Sequence, residues 1–290
     1  MIDLHIHTNN SDGDFDVIDI LKMSEEKNLE FISFTDHQSV DAYKKINNLN
    51  IKDLYGGNII KGIEIAFSFN GISMDMLGYN INIDSIEKSR ILQVNKNINV
   101  IEKENSKLNY LIKVCNELKI LHSSNLYIKG RNTPANDVIC DDILSYDENL
   151  YILKKLEITD RTTFYRKHYL NPNSPFYIQP TEDLPTIYEA AETIHSSSGG
   201  KCFLAHPYVY DVDNIYNYID SIVKLNLIDG IECIHRKHSH SQINEIINYC
   251  DGHNLLKSGG SDFHTSAHTL GFGNDGKIPI SYPIAQNWLQ

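Results

Sequence analysis

The chain begins MIDLHIHTNNSDGD (residues 1–14), a short apolar run that carries His5 and His7 one residue apart, with Asp12 close behind. In a strand, alternate side chains share a face, so His5 and His7 point one way while Leu4 and Ile6 point the other. A strand that gives one face to two imidazoles forgoes burial there, and a metal ion is the commonest compensation. A chance H-x-H in a chain with 13 histidines is the competing reading, and the rest of the sequence has to decide between the two.

Outward from this strand, the first eighty residues read as strand, helix, strand, helix, strand. DFDVIDILKMSEEKNLE carries a helical stripe of Val17, Ile20, Leu21 and Ser24, FISFTDH is a strand, SVDAYKKINNL is a helix with Ser39 as N-cap, and NIIKGIEIAF is a strand. Asn70-Gly71 predicts a hairpin turn into GISMDMLGYNI. From Asp84 the pattern changes. Residues 84–121 read as one long helix, Thr133-Pro134 as the N-cap and first residue of another, and FYRKHYL as a short helix ended by NPNSP. Residues 84–183 therefore read as a helical insertion.

Alternation returns at Leu184 with the strands KCFLAHP, LIDGIECIH and LLKSGGSDFH separated by helical segments. Repeated β-α units on both sides of the insertion predict one parallel α/β barrel built from residues 1–83 and 184–290, not two separate folds.

The composition narrows the function classes. A formal net charge of −12 disfavours a groove that tracks duplex nucleic acid. The five cysteines form no C-x-x-C pair and read as reduced, buried thiols. Met1 leads directly into the first strand and no apolar run reaches membrane-spanning length, so a cytoplasmic protein without a membrane partner is expected.

The ends of the predicted strands collect metal-binding side chains. His5 and His7 close the first, Asp36 and His37 the second, and Glu64 lies in the third; Asp75 is in the hairpin, His206 follows Phe203-Leu204-Ala205, and Asp262 and His264 close the last. Each has a bland reading as a helix cap, a packed turn histidine or an exposed strand residue. Chance, however, would not favour strand ends, which form the active-site face of such barrels. Histidines and carboxylates without thiolates suit Zn²⁺, Mn²⁺ or Fe²⁺, and the set is too large for one ion.

The segments DLHIHTNNSDG, FTDH, GIEI, FLAHP and GGSDFH resemble the successive motifs of the PHP (polymerase and histidinol phosphatase) family. GRNTPAND, FYRKHYL and PFYI resemble the helical insertion of its nucleotide-phosphatase branch. The resemblance implies a distorted (β/α)7 barrel with two or three divalent ions at its mouth. His5, His7, Glu64 and Asp262 would hold the first, with Glu64 bridging to a second completed by Asp75 and His206. Asp12, His37 and His264 would hold the third. Where relatives place histidine before the LGY of the hairpin this chain has Asp75, which adds charge to the second site.

A multinuclear site suits hydrolysis of phosphate esters by a hydroxide shared between the ions, with Glu64, His206 and Asp262 at its centre. The proton for the leaving oxygen would come from metal-bound water or from His235, His238 or His240; the alternative for this HRKHSH cluster is a solvated loop. Arg131, just before the Thr133-Pro134 helix start, and Arg161 and Arg166 are candidates for a second phosphate, against ordinary surface charge. The branch implies a small phosphorylated nucleotide, either a nucleoside bisphosphate or the 5′ end of a short RNA. Histidinol phosphate is the alternative substrate, and a non-catalytic metal-binding module the alternative class. The oligomeric state is left open.

Overall fold

The computed structural model describes residues 1–97, 100–130, 133–171, 173–178, 184–210, 212 and 214–289. Two compact units emerge, one formed by Met1–Lys96 with Leu184–Gln290 and the other by Asn97–Asp183.

The first unit is a mixed α/β fold. Strand β1 (Ile2–Ile6) is buried along its whole length, as expected of a parallel strand covered on both faces. Helix α1 (Val17–Glu26) buries the stripe Val17, Ile20, Leu21 and Ser24 and is capped by Asp16, whose side chain accepts from the Ile18 N–H. Strand β2 (Phe31–Phe34) follows. In helix α2 (Asp41–Ile46) the N-cap is Val40, one residue past Ser39, because the Ser39 hydroxyl takes the Asp41 N–H. Strand β3 (Asn58–Ile59) completes a parallel sheet in the order β1-β2-β3.

Strands β4 (Gly62–Phe69) and β5 (Ile72–Tyr79) form the hairpin. Its turn residues Asn70 and Gly71 both have positive φ, +50° and +81°, the conformation a two-residue turn needs to match strand twist. After the second unit come helix α3 (Ile187–His195), β6 (Lys201–Leu204), α4 (Ile215–Lys224), β7 (Gly230–Ile234), α5 (His240–His253) and β8 (Leu256–Gly259). The five-stranded sheet runs β4-β5-β6-β7-β8, antiparallel up to β6 and parallel beyond.

The expectation that the strands are all parallel needs correction here: β4, β5 and β6 pair antiparallel, and among the described residues the strands form separate sheets with no closed ring. The direct Asn70-Gly71 turn forces β4 and β5 antiparallel, since a parallel partner needs a crossover of a dozen or more residues. Isolated parallel bridges, Ile6 with Phe263 and His37 with Glu64, link the two sheets. Tyr79, Phe203 and Trp288 pack together between Leu4 and Ile280, with the Tyr79 hydroxyl donating to the Leu4 carbonyl at 3.0 Å.

The single helix read over residues 84–121 is broken after Glu87, where Ile83–Glu87 ends and Arg90–Asn97 begins; Val100–Leu118 is helical as expected. Ile86, Ile91 and Leu92 bury their side chains in the first unit's core. The second unit has its own core, with Leu108 and Leu111 against Ile139, Phe164 and Phe176. Its helix Ala135–Leu144 takes Pro134 as N-cap, at φ −65° and ψ 141°, rather than as first helical residue. FYRKHYL is helical as expected, with a wide turn over Tyr165–Tyr169. No described helix is long and apolar enough to cross a membrane.

Candidate metal centre

The first unit brings together His5, His7, Asp12, His37, Glu64, Asp75, His206, Asp262 and His264. The strand alternation of β1 turns His5 and His7 to one side, with their Nε2 atoms 3.0 Å apart. Glu64 Oε2 lies 3.4 Å from His5 Nε2, 3.2 Å from His7 Nε2 and 3.2 Å from His37 Nδ1, and its Oε1 is 3.1 Å from His206 Nε2. Asp262 Oδ1 is 3.5 Å and 3.4 Å from the same two Nε2 atoms. Asp12 faces His7, His37 and His264 at 3.3, 3.6 and 3.2 Å. Asp75 turns its carboxylate toward His206, at 4.0 Å, and can share an ion with His37 and Glu64.

Several buried groups fix this geometry. The carboxylate of Asp3 accepts from the N–H groups of His5, Ser261 and Gly271 and from the Ser261 hydroxyl, stitching β1 to the segment that carries Asp262. Gly260 passes so close to His5 that a Cβ there would sit 2.1 Å from the His5 Cβ. Asp36, read as a strand-end residue, is a brace: it accepts from the Thr8 N–H and hydroxyl and from the Ser11 hydroxyl, shaping the loop before Asp12. His206 and Asp262 have φ of +24° and +49°, a conformation that costs energy and is held by its surroundings.

Glu232, in the middle of β7, was not legible as a site residue. Its Oε1 accepts from His5 Nδ1 at 2.9 Å and its Oε2 from the His206 backbone N–H at 2.8 Å. Because a carboxylate only accepts, His5 keeps a proton on Nδ1, so the proton it gives up to a metal is the one on Nε2, which faces Glu64; this is the usual arrangement behind a metal-binding histidine. Asp262 is held in the same manner. The Lys237 N–H donates to His235 Nδ1, so His235 donates from Nε2 to Asp262 Oδ2 at 3.2 Å, and Arg236 Nε donates to the same oxygen at 3.2 Å. Oδ1 is left for the centre.

Electrostatics follow from this packing. Burial opposes charge on His5, but the Glu232 and Glu64 carboxylates outweigh it and hold its pKa well above the usual imidazole value. Burial likewise opposes charge on His206, and Glu64 overcomes it, pushing the pKa up to about 9. Burial alone would raise Glu64; His37 and His5 hold it well below the carboxylate range. Asp75 is raised by burial and then by Glu64.

A cation fits this donor set. The Nε2 atoms of His5 and His7 and the oxygens of Glu64 and Asp262 turn lone pairs toward one another at 3.0–3.5 Å, which only a shared proton or metal ion can stabilise. His206 Nδ1 is also buried without a hydrogen-bond partner among the described residues.

The residues expected to contact substrate fall elsewhere. His235 sits behind Asp262, and His238 is buried, its Nδ1 on the Cys233 carbonyl at 3.0 Å and its pKa pushed down to about 3 by burial and the neighbouring His235. Both are buried; of the three histidines in that cluster only His240 is exposed. Arg161 and Arg166 line a groove of about 840 Å³ within the second unit, with Lys103, Lys107 and Tyr165. Arg161 is already engaged there by Asp137 and Asp141. Arg131 lies outside the described residues.

Residues 3–165 match the family described as PHP domain. The chain is 21% identical over 286 residues to a 5′-3′ exoribonuclease of Haemophilus influenzae, covering 96% of this chain and 97% of that one. It is 21% identical over 279 residues to a 3′,5′-nucleoside bisphosphate phosphatase of Chromobacterium violaceum, covering 91% and 87%. Its fold is similar to that of an amidohydrolase from Chromobacterium violaceum, solved with sulfate and no metal, at a TM-score of 0.64 and 20% identity over 98% of this chain and 93% of the other. It is also similar to that of a protein from Bifidobacterium adolescentis assigned as a metal-dependent phosphoesterase, at 0.62 and 19% over 99% and 94%.

Proposed function

Because the chain belongs to the PHP-domain family, we propose that it is a metal-dependent phosphoesterase that hydrolyses phosphate monoesters of small nucleotides, either a nucleoside bisphosphate or the 5′ end of a short RNA. The observation that carries this is the convergence of imidazole and carboxylate lone pairs around Glu64. The activities named for the Haemophilus and Chromobacterium relatives support the substrate class. Two or three divalent ions, Mn²⁺, Zn²⁺ or Fe²⁺, suit the donors. His5, His7, Glu64 and Asp262 would hold one, Glu64, Asp75 and His206 a second, and Asp12, His37 and His264 a third. Such ions, when bound, lower the pKa of water and neutralise charge on a phosphoryl group in transfer.

The chain's own residues do the positioning. Glu232 keeps the His5 lone pair on Nε2, and His235 and Arg236 fix Asp262 by one oxygen. The remaining N–H groups of Arg236, without a partner among the described residues, are donors that a phosphate oxygen can take. Substrate selection is assigned to the insertion, where Arg166 presents a guanidinium in a groove. The frame is read as a distorted seven-unit barrel, a reading supported by the Ile6–Phe263 and His37–Glu64 bridges.

The test is phosphate release from a 3′,5′-nucleoside bisphosphate and from a 5′-phosphorylated short RNA, with Mn²⁺, Zn²⁺ or Fe²⁺ added. Turnover of at least one is expected. Release from neither, while a generic phosphate ester is cleaved, would remove the nucleotide reading; no release from any would remove the enzyme.

A further inference from the structure

At the far end of β6 and β7 from the centre, three side chains with no part in the chemistry above come together. His195 ends α3, Cys202 is the second residue of β6, and Asp229 precedes β7. His195 Nε2 is 2.9 Å from Asp229 Oδ2, and one donor atom from each of the three lies within 4.8 Å of the other two. Along the strand, Cys202 is four residues before His206, roughly 13 Å at about 3.3 Å per residue, so the two clusters share no ligand.

We propose that His195, Cys202 and Asp229 form a second metal site, of a different class from the first, that takes a single Zn²⁺ ion through sulfur, nitrogen and oxygen with solvent as fourth ligand. Each part of the geometry serves this. A tetrahedral ion with bonds of about 2.0–2.3 Å needs donors roughly 3.3–3.8 Å apart. The three donors already lie within 4.8 Å of one another, close to that range, and the His195 side chain is 38% exposed.

Asp229 needs no ordering. Its Oδ2 accepts the Cys202 N–H at 2.8 Å, its own N–H donates to the Cys202 carbonyl at 2.7 Å, and its carbonyl takes the Leu256 N–H. Its Oδ1 has no partner among the described residues. The buried Cys202 thiol donates to the Ala191 carbonyl at 3.7 Å, a bond that metal binding would replace, while the His195 and Asp229 side chains are 38% and 32% exposed and leave solvent access for the fourth position.

Thiolate selects Zn²⁺ over the harder Mn²⁺ that the nitrogen and oxygen centre accepts, so the two sites differ in metal preference. The ion would join the end of α3 to β6 and to the approach to β7, giving a structural staple at the base of the sheet. Burial holds the Cys202 thiol well above its ordinary pKa. The proton therefore stays on sulfur until an ion replaces it, and ion uptake releases that proton to solvent.

Cobalt(II) tests this cleanly, because the centre at Glu64 contains no cysteine and the other four cysteines join no metal-binding group among the described residues. Protein first saturated with Mn²⁺ is titrated with Co²⁺ while the near-ultraviolet thiolate-to-cobalt charge-transfer band is followed. One equivalent should develop the band. Cys202→Ser should abolish it, and His195→Ala and Asp229→Asn should each weaken Co²⁺ binding by roughly tenfold or more, one protein ligand of three being lost. His195 is exposed at a helix end, so its variant folds even if Cys202→Ser does not. No band in the parent protein, or a band of undiminished affinity in His195→Ala and Asp229→Asn, overturns the site.

Discussion

Replacing Glu232 by glutamine isolates one physical role with almost no change in shape. The carboxylate uses both oxygens, one on His5 Nδ1 and one on the His206 backbone N–H. Glutamine has one acceptor oxygen and one donor amide, so it satisfies only one of the two. The backbone N–H of His206 has no second tautomer and keeps the oxygen. The amide then donates to His5 Nδ1, which moves the imidazole proton to Nε2 and takes the bare lone pair away from Glu64. A buried hydrogen bond lost or inverted costs about 1–3 kcal/mol, and about 1.4 kcal/mol is a decade in an equilibrium constant. Divalent-ion affinity at the centre should fall about ten- to a hundredfold, the range usual for a lost partner behind a metal ligand. Calorimetric titration of ion-free protein with Mn²⁺ reads the affinity, and ¹⁵N shifts of the His5 ring, taken at a pH where the ring is neutral, read the tautomer. Unchanged affinity together with an unchanged tautomer would refute the reasoning. An affinity loss accompanied by an equal collapse of the ion-free melting temperature would assign Glu232 to packing alone.

Glu64→Ala should lose more than one ion per chain by elemental analysis, together with nearly all hydrolysis, because its two oxygens face different ligand groups; a variant that keeps a full ion complement contradicts the bridge. Gly260→Ala should lower the melting temperature through overpacking of about 1–3 kcal/mol, since the added methyl meets the Cβ and backbone nitrogen of His5; an unshifted melt contradicts that contact. Ion uptake should release protons. The raised pKa of His5 and the His206 value near 9 mean that both rings are protonated at neutral pH without ions, so affinity rises with pH as those protons leave. Mn²⁺ titrations in two buffers of different ionisation enthalpy should give different apparent heats, and identical heats would exclude the release.

Local patterns carried much of this in the sequence. Strand alternation placed His5 and His7 on one side, and Asn70-Gly71 announced the hairpin, because each signal is complete within a few residues. Glu232 escaped because GIECI looks like a half-exposed strand, with the glutamate on the wet side. Yet a strand between two β-α units is covered on both faces, so a carboxylate at its middle has to find buried donors, and that was the available signal. Asp3 between Ile2 and Leu4 poses the same question. Its partners Ser261 and Gly271 lie more than 250 residues away, beyond any local pattern. The break at Lys88-Ser89 was invisible because neither glycine nor proline marks it; it is set by Ile86, Ile91 and Leu92 turning into the first unit's core.

The separation along the chain between the two ends of the centre also sets a clock on biosynthesis. Six of its nine donors lie in the first 75 residues, while His206, Asp262 and His264 follow only after a further 130 or so. At roughly 5–20 residues per second, the ribosome holds the N-terminal donors without their partners for about 10–40 seconds before Asp262 is made. Throughout that interval Glu64 lacks His206 and Asp262, and His5 lacks the Glu232 that fixes its tautomer. The assembled centre is therefore a late product of translation, and ion uptake reports that the last strand has docked against the first.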